Sequence, residues 1–153
     1  ASNKSEDKYS DEEFVEAMAK GLEARWKIVN SPNYKDTVKQ LKSAIQAELD
    51  AVSGFESKKY KDTKLQEKAL KYINCLKDSV ENVSYCFSDN SDDAEKWSEI
   101  YEQRQILIKD FVENYGLSVS EKYQDTVDEF VAHGKNAEEK QEKEKENQNE
   151  KDN

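Results

Sequence analysis

Hydrophobic residues recur every three or four positions along most of this chain, and this spacing is typical of amphipathic α-helices. Four long stripes of this kind are separated by short polar segments. Most of the stripes follow a residue that favours a helix start and end near a glycine, a proline or a polar run. The pattern predicts four long helices, which cover about residues 10–31, 33–55, 63–87 and 93–115, with residue 36 as the alternative start of the second.

A fifth apolar stripe, near the C-terminus, is shorter than the others. Tyr123, Val127 and Phe130 lie on its apolar face, and Gly134 stands where a helix-terminating glycine is expected. The sequence therefore predicts an all-α fold over residues 9–134. Its architecture is expected to be an antiparallel bundle of four long amphipathic helices plus a short C-terminal fifth helix.

The two ends of the chain carry no apolar stripe. Residues 1–8 contain serine, asparagine, lysine and acidic residues, and they are predicted to form a flexible tether. Residues 135–153 are mostly Glu, Lys, Gln and Asn, and they are predicted to form a disordered charged tail because they have nothing to bury. Since Glu and Lys favour helices and pair at a spacing of four residues, a partly helical spacer is the alternative.

The charge of the chain limits its partners. Charged residues make up 38% of the sequence and the formal net charge is -10, which disfavours binding to nucleic acids and to anionic lipid surfaces. Four glycines and one proline leave few residues for the tight turns of an all-β fold. No apolar run approaches the roughly 20 residues of a transmembrane helix. We expect no nucleic-acid partner.

Residues that usually carry catalysis or bind metals are scarce. Cys75 and Cys86 are 11 positions apart, a rise of about 16 Å on one continuous helix, which is too far for a disulfide. His133 is the one histidine of the sequence, so a zinc site is not expected. The sequence also has no phosphate-binding glycine loop and no nucleophile motif. We expect no metal, no cofactor and no enzymatic activity.

The arginines are the most informative residues. The chain has 22 lysines and only 2 arginines, and both Arg25 and Arg104 fall within apolar helical stripes. A buried guanidinium needs a partner, and on the other stripes the one acidic residue is Glu48, between Ile45 and Val52. Glu48 is therefore predicted to pair with one or both arginines.

Two interpretations of the arginines remain open. In the first, Glu48 satisfies both guanidiniums, and Trp26, Trp97 and Tyr101 cover their stems. In the second, Arg25 and Arg104 grip a small anion in a cleft between the first and fourth helices, with Trp26 and Tyr101 as its walls.

Three short segments resemble a known class of proteins. The runs FVEAMAKGLEARWK (residues 14–27), YEQRQ (residues 101–105) and ENYGL (residues 113–117) are similar to those of small helical lipoproteins of low-GC Gram-positive bacteria. The resemblance covers residues 14–134 and ties no residue to catalysis or binding. It implies that the chain is held on the outer face of the cell membrane by an N-terminal lipid, with a polar tether similar to residues 1–8.

Two functions of different class follow from these observations. The first is a non-enzymatic extracytoplasmic domain, expected to be a monomer, that binds a small anionic ligand or another surface protein. The alternative is an intracellular helical adaptor or immunity-type protein that acts through helix-face contacts, because unbridged cysteines suit a reducing compartment.

Overall fold

The computed structural model describes residues 8–152, and all regular structure in that range is helical. The prediction of an all-α bundle is confirmed. Short 3₁₀ segments occur at Ser53–Phe55, Val83–Phe87 and Glu121–Tyr123. The predicted tether lies outside the described residues except for Lys8. The α-helices are α1 (Asp11–Val29), α2 (Val38–Val52), α3 (Thr63–Glu81), α4 (Ser91–Asn114) and α5 (Gln124–Asp152).

Helices α1 to α4 run in alternating directions. Phe14, near the start of α1, packs against Phe111, near the end of α4, with ring centroids 5.6 Å apart. Lys68 in α3 forms an ion pair with Asp110 in α4, whereas the Cys75 thiol, later in α3, donates a hydrogen bond to a carbonyl earlier in α4. Residue numbers therefore rise along α3 as they fall along α4, as in an antiparallel bundle.

An aromatic cluster fills the end of the core at which α1 begins and α4 ends. The Phe14 ring is fully buried and lies edge-on to three other rings, with centroids 5.8–6.4 Å away. These rings are Phe55, Tyr60 and Tyr72. Edge-to-face contacts of this kind add to the free energy gained by burying apolar surface.

The third helix is shorter than the sequence predicted. It ends at Glu81, and Asn82 leads into the 3₁₀ segment Val83–Phe87. By spacing alone, the apolar residues before and after this point form one continuous stripe. In the structure, the polar residues 81–82 separate them into two runs. The break lets the 3₁₀ segment pack against α2 and α4. The two cysteines are therefore on different elements, and both are free.

The prediction of a short fifth helix followed by a disordered tail from residue 135 is wrong. Helix α5 has 29 residues and continues through Gly134 to Asp152. Gly134 is not a stop, because a Cβ atom at this position would lie 2.5 Å from the carbonyl oxygen of Gln105 in α4. The glycine allows α5 to lie directly on α4. The next turn is docked as well, since Ala137 is only 5% exposed and Lys109 forms an ion pair with Glu138.

Candidate ligand-binding site

The carboxylate of Glu48 is fully buried at the centre of the bundle and accepts hydrogen bonds from three other helices. Arg104 donates from Nε to Oε2 at 3.0 Å and from Nη2 to Oε1 at 2.7 Å. Arg25 donates from Nη1 to Oε1 at 3.2 Å, and the Tyr72 hydroxyl donates to Oε2. The predicted pairing of Glu48 with both arginines is confirmed. We call these four residues the ion cluster.

Each of the four bundle helices supplies one member of the ion cluster. Arg25 lies on α1, Glu48 on α2, Tyr72 on α3 and Arg104 on α4. Gly21 brings α1 close enough for this arrangement, because a Cβ atom there would lie 2.9 Å from the Glu48 carbonyl oxygen. One carboxylate therefore fixes the relative positions of all four helices.

The ion cluster carries one net positive charge. Burial alone would raise the pKa of Glu48, but the charges of Arg104 and Arg25 and the hydrogen bonds from Arg104 and Tyr72 lower it to about 2. Burial, together with the charge of Glu48, raises the pKa of Tyr72 well above its ordinary value, so this hydroxyl is neutral. Two guanidiniums therefore face one carboxylate, and one cationic charge is uncompensated within the cluster.

The low pKa of Glu48 predicts a loss of stability in acid. A carboxyl whose pKa is lowered on folding stabilises the native state fully above its unfolded value, here 4.5, and this contribution disappears as pH falls toward about 2. In 1 M salt, which screens exposed ion pairs more than buried ones, the melting temperature should still fall steeply between pH 4.5 and pH 2. A melting temperature that stays constant across that interval in 1 M salt would contradict the buried ion cluster.

The Arg104 guanidinium is held beneath two aromatic rings. Its central carbon lies 5.0 Å from the Phe130 ring centroid and 5.8 Å from that of Tyr101. Among the residues that the structure describes, Nη1 of Arg104 is buried without a hydrogen-bond partner. Because Nε and Nη2 point at Glu48, Nη1 is directed away from the carboxylate. Cation–π contacts partly offset the lost hydration of this group.

A cavity of about 870 Å³ opens beside the ion cluster. It lies between α1, α4 and the first turns of α5. The loop after α1, the first turn of α2 and the 3₁₀ segment with Cys86 complete its wall. The charged side chains that line it are Arg25 and Asp36. Most of the remaining wall is aromatic or aliphatic, and consists of Trp26, Val29, Tyr34, Leu41, Trp97, Tyr101 and Phe130.

Three of the four predicted site residues line this cavity, namely Arg25, Trp26 and Tyr101. Arg104 does not, because it is 1% exposed and lies behind the Phe130 and Tyr101 rings. The sequence interpretation also missed Phe130 as a wall. The sequence indicates only that Phe130 belongs to the fifth apolar stripe. A stripe shows that a residue faces inward, but it does not show which neighbour the residue contacts.

The thiols of Cys75 and Cys86 are the other candidate reactive groups. Burial raises the pKa of the Cys75 thiol to about 11, and this thiol donates to the Ile100 carbonyl oxygen at 3.3 Å. Cys86 is exposed at the rim of the cavity, and its pKa is also raised, by partial burial and by the charge of Asp36. A protonated thiol is a weak nucleophile. The arrangement is suited to binding.

Comparisons with protein-family models, with curated proteins and with solved structures found no match. Over residues 8–152, no helix is both long and apolar enough to cross a membrane. The same part of the chain holds no group of histidine, cysteine, aspartate and glutamate residues that could bind a metal ion. Function is therefore inferred from the cavity and the ion cluster.

Proposed function

We propose that this chain is a non-enzymatic helical binding domain that holds a small amphipathic molecule in the cavity beside the ion cluster. The ligand has an apolar, preferably aromatic body and one anionic group that lies against Arg25. One observation carries the proposal. Two buried guanidiniums share a single carboxylate, and one of the two, Arg25, lies in the wall of an aromatic cavity.

The size and lining of the cavity support an aromatic ligand body. Small-molecule sites usually measure about 300–1,000 Å³ and have apolar walls with a few polar groups that orient the ligand. Here Trp26 and Phe130 are stacked with centroids 5.8 Å apart, and Trp97 lies 6.3 Å from Tyr101. Flat, rigid walls of this kind favour a planar molecule, because stacking against them costs little side-chain entropy.

The contacts of Arg25 support an anionic group on the ligand. The residue is only 4% exposed and its guanidinium lies 5.9 Å from the Tyr101 ring centroid. Nη1 donates to Glu48, and the structure shows no hydrogen bond from Nε or Nη2 to any described residue. A carboxylate or a similar group in the cavity would accept hydrogen bonds from these donors. Its interaction with Arg25 would strengthen as the ligand excludes water.

A matched pair of fluorescent probes tests the proposal. We expect 1-anilinonaphthalene-8-sulfonate to bind about tenfold more tightly than N-phenyl-1-naphthylamine, which has the same aromatic body without the sulfonate; this ratio corresponds to about 1.4 kcal/mol. In Arg25→Met, which leaves one carboxylate paired with one guanidinium, the two probes should bind equally well. Titration of probe fluorescence gives both dissociation constants.

The control variant is Lys27→Met, which removes an exposed cation from the same helix. It should leave the preference for the sulfonate intact. Equal affinity for the two probes in the unmodified protein, or a preference that survives Arg25→Met, would refute an anion site at Arg25. Failure of both probes to bind would refute the cavity as a ligand site.

The resemblance to small lipoproteins supports an extracytoplasmic location on the outer face of the cell membrane, with an N-terminal lipid as the anchor. Labelling of the natural gene product with a radioactive fatty acid, followed by cell fractionation, tests this location. An exposed free thiol at Cys86 instead favours the alternative, an intracellular helical adaptor. Recovery of an unlipidated protein in the cytosolic fraction would support that alternative.

A further inference from the structure

The charges around the cavity point to a narrower class of ligand. The ion cluster holds two guanidiniums and one ionised carboxylate, and its fourth member, Tyr72, is neutral. Its excess is therefore one positive charge. Because all four residues are less than 5% exposed, water compensates little of this excess.

The cavity wall supplies no second cation. Of the side chains that line it in the described part of the chain, Arg25 is the one that carries positive charge, and Asp36 adds a negative charge at the exposed rim. Tyr34 and Cys86 are neutral, since partial burial and the charge of Asp36 raise the pKa of both groups. The cavity therefore compensates one negative charge on a ligand, and it has no cation to compensate a second one.

The unpartnered Nη1 of Arg104 strengthens the same conclusion. It lies behind the Tyr101 and Phe130 rings, which themselves line the cavity, so one layer of aromatic atoms separates this cation from the ligand space. The uncompensated positive charge of the ion cluster acts over several ångströms in a medium of low polarity. It attracts a single negative charge to this wall of the cavity.

We infer that the ligand's charged group is a monoanion, a carboxylate or a sulfonate, and that phosphate dianions are rejected. The inference rests on the proposed function and specifies the chemical class of its ligand. A monoanion beside Arg25 makes the ion cluster neutral overall. A dianion leaves one negative charge without a partner beside a largely apolar wall, which disfavours its binding.

Two naphthalene compounds with different head groups test the inference. At pH 8 we expect 1-naphthyl phosphate, a dianion, to bind at least about tenfold more weakly than naphthalene-1-sulfonate, measured as displacement of 1-anilinonaphthalene-8-sulfonate. At pH 5 the phosphate is a monoanion because its second pKa is about 6, and the two compounds should bind within about threefold of each other. Glu48 stays ionised at both values, since its pKa is about 2.

Two exposed positions at the cavity allow the charge balance to be changed without disturbing the core. Asp36→Asn removes the rim carboxylate, and Ser98→Lys adds a cation. Each variant should reduce the discrimination against the phosphate at pH 8 by about threefold or more. Ser118→Lys, an exposed position that does not line the cavity, is the matched control and should leave the discrimination unchanged.

The outcomes separate the two proposals. If the phosphate binds at pH 8 as tightly as the sulfonate, the monoanion inference is overturned while the cavity remains a binding site. If neither naphthalene compound displaces the probe from a protein that binds it, the probe occupies another place and both proposals fail. If the discrimination is the same in Asp36→Asn and Ser98→Lys as in the control, the charge balance of this cavity does not set it, which also overturns the inference.

Discussion

Replacement of Glu48 by glutamine is expected to lower the free energy of unfolding by about 3–5 kcal/mol. The amide keeps the shape of the side chain but removes the one negative charge that Arg25 and Arg104 share. Both guanidiniums would then be buried without a counterion, and arginine side chains keep their charge in proteins. Urea denaturation followed by far-ultraviolet circular dichroism gives the difference in free energy.

Asp50→Asn provides the matched control for this experiment. It makes the same chemical change on the same helix, but Asp50 is exposed and accepts a hydrogen bond from Gln46 within the helix. We expect its effect to be within about 0.5 kcal/mol. If Glu48→Gln costs no more than Asp50→Asn, the ion cluster does not hold the four helices together.

Replacement of Gly134 by alanine is expected to destabilise the bundle by about 1–3 kcal/mol, although alanine is the better helix former by about 1 kcal/mol. The reason is steric, because the new Cβ atom would lie 2.5 Å from the Gln105 carbonyl oxygen and 3.0 Å from Cβ of Lys109. Helix α5 must then move away from α4. Amide hydrogen exchange should accelerate throughout α5, and urea denaturation gives the loss of stability.

Gly54→Ala is the control, since a Cβ atom at Gly54 has no neighbour within 4 Å. That variant should be neutral or slightly stabilising, because alanine restricts the unfolded chain. An increase in stability of Gly134→Ala over the unmodified protein would show that α5 does not pack closely on α4. Residues 135–152 would then form a solvent-exposed segment, as the sequence alone predicts.

The first four helices could be predicted from the sequence because each buries a continuous apolar stripe, which leaves a regular spacing in the chain. The ion cluster could be predicted for a related reason. An arginine inside an apolar stripe needs a counterion, and Glu48 was the one acidic residue on the facing stripes. Tyr72 was missed as its third partner, because a tyrosine in a stripe is equally consistent with packing alone.

The fifth helix shows where local sequence fails. The sequence predicts that Gly134 is a helix stop, which is the role that Gly116 has after the end of α4, with a left-handed φ of 73°. Gly134 instead serves the approach of two helices. The same residue type meets both needs, and only the position of the partner helix separates them.

A cleft between the first and fourth helices was one of two open interpretations of the sequence, but the rest of the cavity wall could not be predicted, for a similar reason. Hydrophobic periodicity shows which face of each helix is apolar, but not which parts of those faces are left uncovered when the helices pack. The break at Asn82 and the path of the loop between α4 and α5 decide this here. They bring Cys86 and Phe130 to the cavity and leave Arg104 behind its wall.

Nuclear magnetic resonance tests the central claim most directly, because Trp26 and Trp97 are the only tryptophans of the chain and both line the cavity. Titration of the ¹⁵N-labelled protein with naphthalene-1-sulfonate should shift both indole N–H resonances along one saturable curve, together with the Nε–H resonance of Arg25. Arg25→Met should weaken this curve about tenfold. Indole resonances that stay in place while the ligand shifts other signals would show that the cavity beside the ion cluster is not the binding site.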